Sequence, residues 1–192
     1  MTKPFNVILI GRSGSGKGTQ GELLMKKFSH LYCLATGDLF RDLAKSESDT
    51  GKRIQKIFKE GGLPMDDLAT TMWMHNLAYN LKEEQGLLAD GFPRRFAEAK
   101  SLDAFLEFLE RMNTSYFILI DISRKEASRR LKARGRNDDT DEAIGGRMNY
   151  YEERVVEVVA YYKDRGRLTV INGEQSVEDV HKDILESIKD GK

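Results

Sequence analysis

Six residues of strand-forming character, Phe5-Asn6-Val7-Ile8-Leu9-Ile10, run straight into Gly11-Arg12-Ser13-Gly14-Ser15-Gly16-Lys17, and a helix-forming stretch from about Thr19 to Phe28 follows at once. Few folds accommodate that order. The spacing G-x-x-x-x-G-K between a strand and a helix is that of a phosphate-binding loop. Gly11, Gly14 and Gly16 allow positive φ and let backbone N–H groups converge without a Cβ in the way. The helix that opens there turns its unpaired N–H groups and its dipole on the same anion. Lys17 adds a point charge for the outer phosphates. The strict pattern asks for Ser or Thr directly after the lysine; here Gly18 stands there and Thr19 comes one later.

A chain of 192 residues suits one domain with small inserted lobes. Lys plus Arg balance Asp plus Glu at 31 each, so no basic surplus points to nucleic acid or an anionic membrane. The single cysteine, Cys33, excludes an internal disulfide and a multi-cysteine zinc site, and its apolar neighbours predict a packed core thiol. His30, His75 and His181 lack metal-ligand spacing and read as structural. The apolar run at Phe5–Ile10 is too short for a signal core, and no stretch is long enough to span a bilayer. A cytoplasmic monomer is expected.

Four more short apolar runs follow the first: Leu31–Leu34, Gly86–Ala89, Tyr116–Ile122 and Leu168–Ile171. None alternates, which predicts strands buried on both faces of a parallel sheet. Helical patterns separate them, so the chain reads as a three-layer α/β/α sandwich with a five-stranded parallel sheet. Ser123-x-x-Glu126 and Ser176-x-x-Asp179 signal helix starts of the capping-box type. Helices near Asp38–Lys45, Thr50–Glu60 and Asp66–Leu81 exceed what one crossover needs and predict a small helical lobe, bounded at 36–65. The polar, charged segment 131–141 predicts a short lid.

Several stretches carry possible chemistry. Thr36-Gly37-Asp38-Leu39-Phe40-Arg41 predicts a helix start capped by Thr36 or Asp38. Asp90 ends an apolar strand, a place suited to a carboxylate that holds magnesium through water. Asp121 ends another and reads as structural. A cluster of arginines runs from Arg129 to Arg136, followed by Arg147; such clusters are usually solvated helix faces, and Arg129 and Lys132 read as part of one.

Together these segments resemble the nucleoside monophosphate kinases, adenylate kinase above all, from Phe5 to about Val180. G-x-x-G-x-G-K-G-T-Q at the loop, T-G-D-L-F-R at Thr36–Arg41 and D-G-F-P-R at Asp90–Arg94 carry the resemblance. It implies ATP at Gly14, Ser15, Gly16, Lys17, Gly18 and Thr19, with the donor adenine near Arg130 and Gln175. It implies AMP at Thr36, Arg41, Gly62, Leu63, Pro64, Gly91, Phe92, Arg94 and Glu98, joined by Arg136 and Arg147. Lys17, Arg94, Arg134, Arg136 and Arg147 would surround the transferring group, with Asp138 and Asp139 orienting the guanidiniums. Mg2+ would arrive with ATP on Asp90 through water, with Thr19 as a further candidate.

The departures are Arg12 where a small residue is usual, Ser13 in place of proline, Pro64 one position early, and Glu98 in place of the glutamine that reads adenine. A glutamate there predicts that Glu98→Gln improves AMP affinity. AMP is the expected acceptor, with GMP, CMP or UMP as alternatives of the same chemistry. A phosphate-loop ATPase or switch without a nucleotide acceptor is the alternative of another class.

Overall fold

The computed structural model describes residues 4–59, 64–136 and 139–190. Five parallel strands form its centre: β1 (Asn6–Ile10), β2 (Leu31–Ala35), β3 (Gly86–Asp90), β4 (Ser115–Asp121) and β5 (Leu168–Asn172), in the order β2-β3-β1-β4-β5. The register runs Val7 beside Leu88 and Tyr116, with Leu9 beside Asp90 and Ile118.

Side chains alternate across the sheet, and both faces are covered. On one face Ile8, Leu87, Ala89 and Phe117 pack against Trp73 and Leu77 of α4 (Asp66–Asn80), Leu102 and Leu106 of α5 (Phe96–Phe108), and Val158 and Tyr162 of α8 (Val156–Asp164). On the other, Val7, Leu9, Leu88 and Ile118 meet Leu24 of α1 (Lys17–Lys27) and Val180, Ile184 and Ile188 of α9 (Val177–Asp190). Each such large apolar side chain contributes roughly 1.5–3 kcal/mol on burial. Double coverage explains why β1, β3 and β4 read as unbroken apolar runs.

The edge strands differ from expectation. Cys33 on β2 is exposed, and so are Thr169 and Val170 on β5. Each edge strand has only one sheet neighbour and is covered less fully, so the predicted core thiol instead faces outward at the margin.

Two more layers of detail place the site. α2 (Thr36–Ala44) and α3 (Asp49–Lys59) pack on each other beside β2, with Phe40 and Ile54 buried between them and the rest of the chain. α6 (Arg124–Arg134) and α7 (Asp141–Tyr150) share a small core of Ile122, Ala127, Leu131, Ile144 and Met148. Ser123 and Thr140 cap α6 and α7, accepting from Glu126 N–H at 3.2 Å and Ala143 N–H at 3.2 Å. A single π-turn, Tyr151–Val155, joins α7 to α8. From β1 the chain passes to β2 on one side, and after β3 it crosses to β4 on the other. The crevice at the carboxyl end of β1 is therefore the topological switch point, where ligands bind in open α/β sheets.

Candidate functional site

The loops after four of the strands gather at that carboxyl edge. Gly11–Lys17 follows β1, Thr36 follows β2, Gly91–Arg94 follows β3, and the turn at Gly173 follows β5. The loop after β1 wraps tightly. Gly14 has φ 85°, and a Cβ there would lie 2.9 Å from the Ala127 carbonyl, so no other residue fits without strain. α1 opens after Gly16 with no side-chain cap, leaving its first N–H groups available to an anion.

Lys17 closes the loop. Its Nζ donates to the Gly11 and Arg12 carbonyls, both at 2.8 Å, and to Ser15 Oγ at 3.4 Å. Burial lowers its pKa to about 8; Asp90 opposes this, while Arg94 and Arg134 add to it. An ammonium with a lowered pKa beside two guanidiniums marks a place built to receive negative charge.

The segment after β3 supplies the facing wall. Gly91 has φ 83°, and a Cβ on it would meet Arg94 Nη2 at 2.8 Å and Thr36 Oγ1 at 2.9 Å. Its carbonyl accepts from Thr36 Oγ1 at 2.8 Å and from Arg94 Nε at 2.6 Å. Thr36 thus ties α2 to the β3 loop and does not cap its own helix, whose N-cap is Ala35. Lys17, Arg94 and Arg147 line one pocket with Gly11, Ser13, Gly91 and Phe92, closed at the side by Tyr150 and Tyr151.

Asp139 holds Arg134 and Arg147 together. Its carboxylate accepts from Arg134 Nε and Nη2 at 2.9 and 2.7 Å and from Arg147 Nη1 at 2.6 Å. The Arg136 backbone N–H donates to it as well, at 3.3 Å. Burial pushes the Asp139 carboxyl up, but the two guanidiniums outweigh it and hold its pKa below the usual value. The Arg136 side chain is exposed.

Arg130 donates to Glu126 at 2.6 Å and to the Gly173 carbonyl at 2.9 Å, which brings it against the turn that carries Gln175. Gln175 itself donates to the Asn172 carbonyl and to Asp183. Arg41 stays on α2, half-exposed and paired with Asp38, outside the pocket. Gly62, Leu63 and Asp138 lie outside the described residues; Pro64 is half-buried. Glu98 is buried, with one oxygen on Trp73 Nε1 and the other on the Arg94 backbone N–H, and does not line the pocket. Asp90 points its carboxylate past Gly18, at 3.8 Å from where a Cβ would stand, and Thr19, the next residue in the chain after Gly18, is exposed. Among the described residues no three His, Cys, Asp or Glu side chains converge on a metal position. A carboxylate and a hydroxyl are hard oxygen donors, a set that fits magnesium, which keeps most of its waters.

Three contributors carried no clear signal in the sequence. Arg12 turns away from the pocket, donating to the Ile122 carbonyl at 3.2 Å and Glu152 at 3.1 Å and lying 4.2 Å over the Tyr151 ring. Tyr151 and Trp73 are the others; both look like ordinary helical aromatics until the fold sets Tyr151 under Arg12 at the pocket and stacks Trp73 on Phe92.

Fold and pocket together define the class: a phosphate-loop nucleotide-binding α/β protein with several arginines gathered opposite the loop. The comparison with known proteins is narrower. The adenylate kinase family model matches residues 9–167. An adenylate kinase of Azobacteroides pseudotrichonymphae is 38% identical over 190 residues, covering 96% of this chain and 97% of its own. Those of Prochlorococcus marinus and Flavobacterium psychrophilum are 35% and 34% identical, each covering at least 95% of this chain and at least 97% of their own. The chain belongs to the adenylate kinase family.

Proposed function

We propose that the protein transfers the terminal phosphoryl group of magnesium-ATP reversibly to AMP, giving two ADP. The observation that carries this reading is the shared pocket of Lys17, Arg94 and Arg147 at the mouth of the phosphate loop. Phosphoryl transfer asks for in-line alignment and positive charge around the equatorial oxygens, with little covalent help. Lys17 and the N–H groups of the loop and α1, from Gly14 to Thr19, hold the donor phosphates. Arg94 holds the acceptor phosphate, with Arg41 joining it when the helical lobe (36–65) moves in. Arg134 and Arg136 approach the transferring group from the lid (131–141) and Arg147 from α7, with Asp139 fixing the guanidiniums of Arg134 and Arg147. Arg130 and Gln175 flank the donor base; Thr36, Pro64, Gly91 and Phe92 flank the acceptor, completed by the Gly62-Leu63 stretch.

Asp90, with Thr19 as a further candidate, would hold magnesium through water, and the ion would supply further charge neutralisation at the phosphates. An ionised phosphate nucleophile needs no general base. What the site must do is exclude water, which would otherwise take the phosphoryl group; closure of the lobe and lid serves that end. A cytoplasmic monomer that handles small nucleotides and not nucleic acid completes the reading, in keeping with the balance of Lys plus Arg against Asp plus Glu at 31 each.

A coupled assay with AMP, GMP, CMP, UMP and no acceptor tests the reading. AMP should give the highest turnover and omission of the acceptor almost none. ATP consumption at the same rate without any monophosphate would contradict it.

A further inference from the structure

We infer that Glu98 is a positioning residue that fixes Arg94 for the acceptor phosphate, held from behind by Trp73, and that it does not read the base. The inference rests on the acceptor site proposed above.

Glu98 is the third residue of α5, whose N-cap is Arg95. A carboxylate at that position reaches back to the N–H groups just before the helix, the reciprocal half of a capping box. Here Oε2 accepts from the Arg94 N–H at 2.5 Å, and the Arg95 N–H also bonds to the carboxylate. Oε1 accepts from Trp73 Nε1 at 2.9 Å. Three donors from the protein itself therefore share the two oxygens of a side chain that is 5% exposed. A glutamine offers one acceptor oxygen, and its amide N–H groups would face donors.

Trp73 leaves little freedom on the other side. Its ring is wholly buried, stacked on Phe92 at 5.1 Å with a 13° interplanar angle, and met edge-on by Phe105. Its only polar atom goes to Glu98. Arg94 is thus pinned twice, at its backbone by Glu98 and at its Nε by the Gly91 carbonyl. An adenine-reading side chain must offer the base both a donor and an acceptor; an ionised carboxylate has no donor, and Glu98 already accepts three hydrogen bonds from the protein.

The test compares Glu98→Gln and Trp73→Phe with wild type. Trp73→Phe retains a stackable ring but not the N–H. Inhibition constants at the acceptor site are measured for AMP, GMP and ribose 5-phosphate, which has no base, along with the KM for ATP. Both variants should bind all three ligands more weakly by the same factor, roughly tenfold or more for one lost charged hydrogen bond, with the KM for ATP unchanged. This is the reverse of the improvement that Glu98→Gln was expected to bring. A loss confined to AMP, or a changed ratio of AMP to GMP, overturns the inference. For variants that do not fold, the sole tryptophan reports directly in the wild type: its emission should change on saturation with ribose 5-phosphate as well as with AMP. A change with AMP alone, or with neither, overturns it. Wild-type enzyme that transfers nothing to AMP refutes the proposed function instead, and so the two failures stay distinct.

Discussion

The ammonium of Lys17 donates to the carbonyl of Gly11 at 2.8 Å, so that the lysine is folded over the first residue of its own loop. Burial leaves it with a pKa near 8, against an ordinary 10.5. The unfolded chain therefore binds more protons than the folded one between those values, and Lys17 costs stability below pH 8, a cost that disappears as pH rises. Triphosphate binding reverses the balance, because an anion favours the charged lysine and the complex takes up a proton. ATP affinity should fall as pH rises through about 8. Calorimetric titrations on both sides of that pH check this. Lys17→Met should flatten the dependence and lower turnover by roughly a hundred- to a thousandfold, with the fold intact by circular dichroism.

Arg94 is held on the acceptor side by Gly91 and Glu98. Arg94→Ala should leave ATP binding nearly unchanged and weaken use of the monophosphate by roughly tenfold to a hundredfold, the scale of a lost charge-assisted hydrogen bond. Separate KM and kcat values for the two substrates decide it; equal damage to both would place the acceptor site elsewhere.

Asp139 has a side chain only 1% exposed and two guanidiniums bound to it. Asp139→Asn keeps the shape but removes the charge that holds Arg134 and Arg147, and kcat should drop by about tenfold or more. Because its folded pKa lies below the unfolded value, the pair stabilises the protein above the usual carboxylate range and stops doing so as pH falls through the folded pKa. Thermal midpoints measured toward acid pH should therefore converge between wild type and Asp139→Asn.

Closure of the lid should be visible without any mutation. Two adenosines joined through a polyphosphate occupy both sites at once and should bind tightly, protecting 134–140 from proteolysis. Cleavage unchanged by that ligand contradicts a moving lid.

Much of the fold was legible because the strands that matter are buried on both faces. All five predicted strands lie within about one residue of their observed ends, and Ser123 and Ser176 cap the helices that their spacing implied. The order of the strands was not legible: it depends on which crossovers pass over which face, and local pattern is silent on that. Nor was the exposure of Cys33, since an apolar edge strand and an apolar central strand look alike in sequence. At the site, the glycine-rich loop and the segment after β3 announce themselves by residue type, because backbone approach demands glycine. Asp139 was foreseen as an orienting group. The bond from Trp73 to Glu98, across twenty-five residues, was not legible, because sequence shows what stands at a position and not what it faces. The bond from Arg12 to Glu152 spans 140 residues and could be found only in the folded chain.

The fate of a labelled terminal phosphoryl group tests the proposed reaction most directly. ATP labelled at that position is mixed with AMP and magnesium, and the products are separated. The label should appear in ADP, in proportion to the AMP consumed, with only a trace as free phosphate. Label released as free phosphate, at one rate with or without AMP, would contradict transfer to a nucleotide acceptor and leave an ATPase.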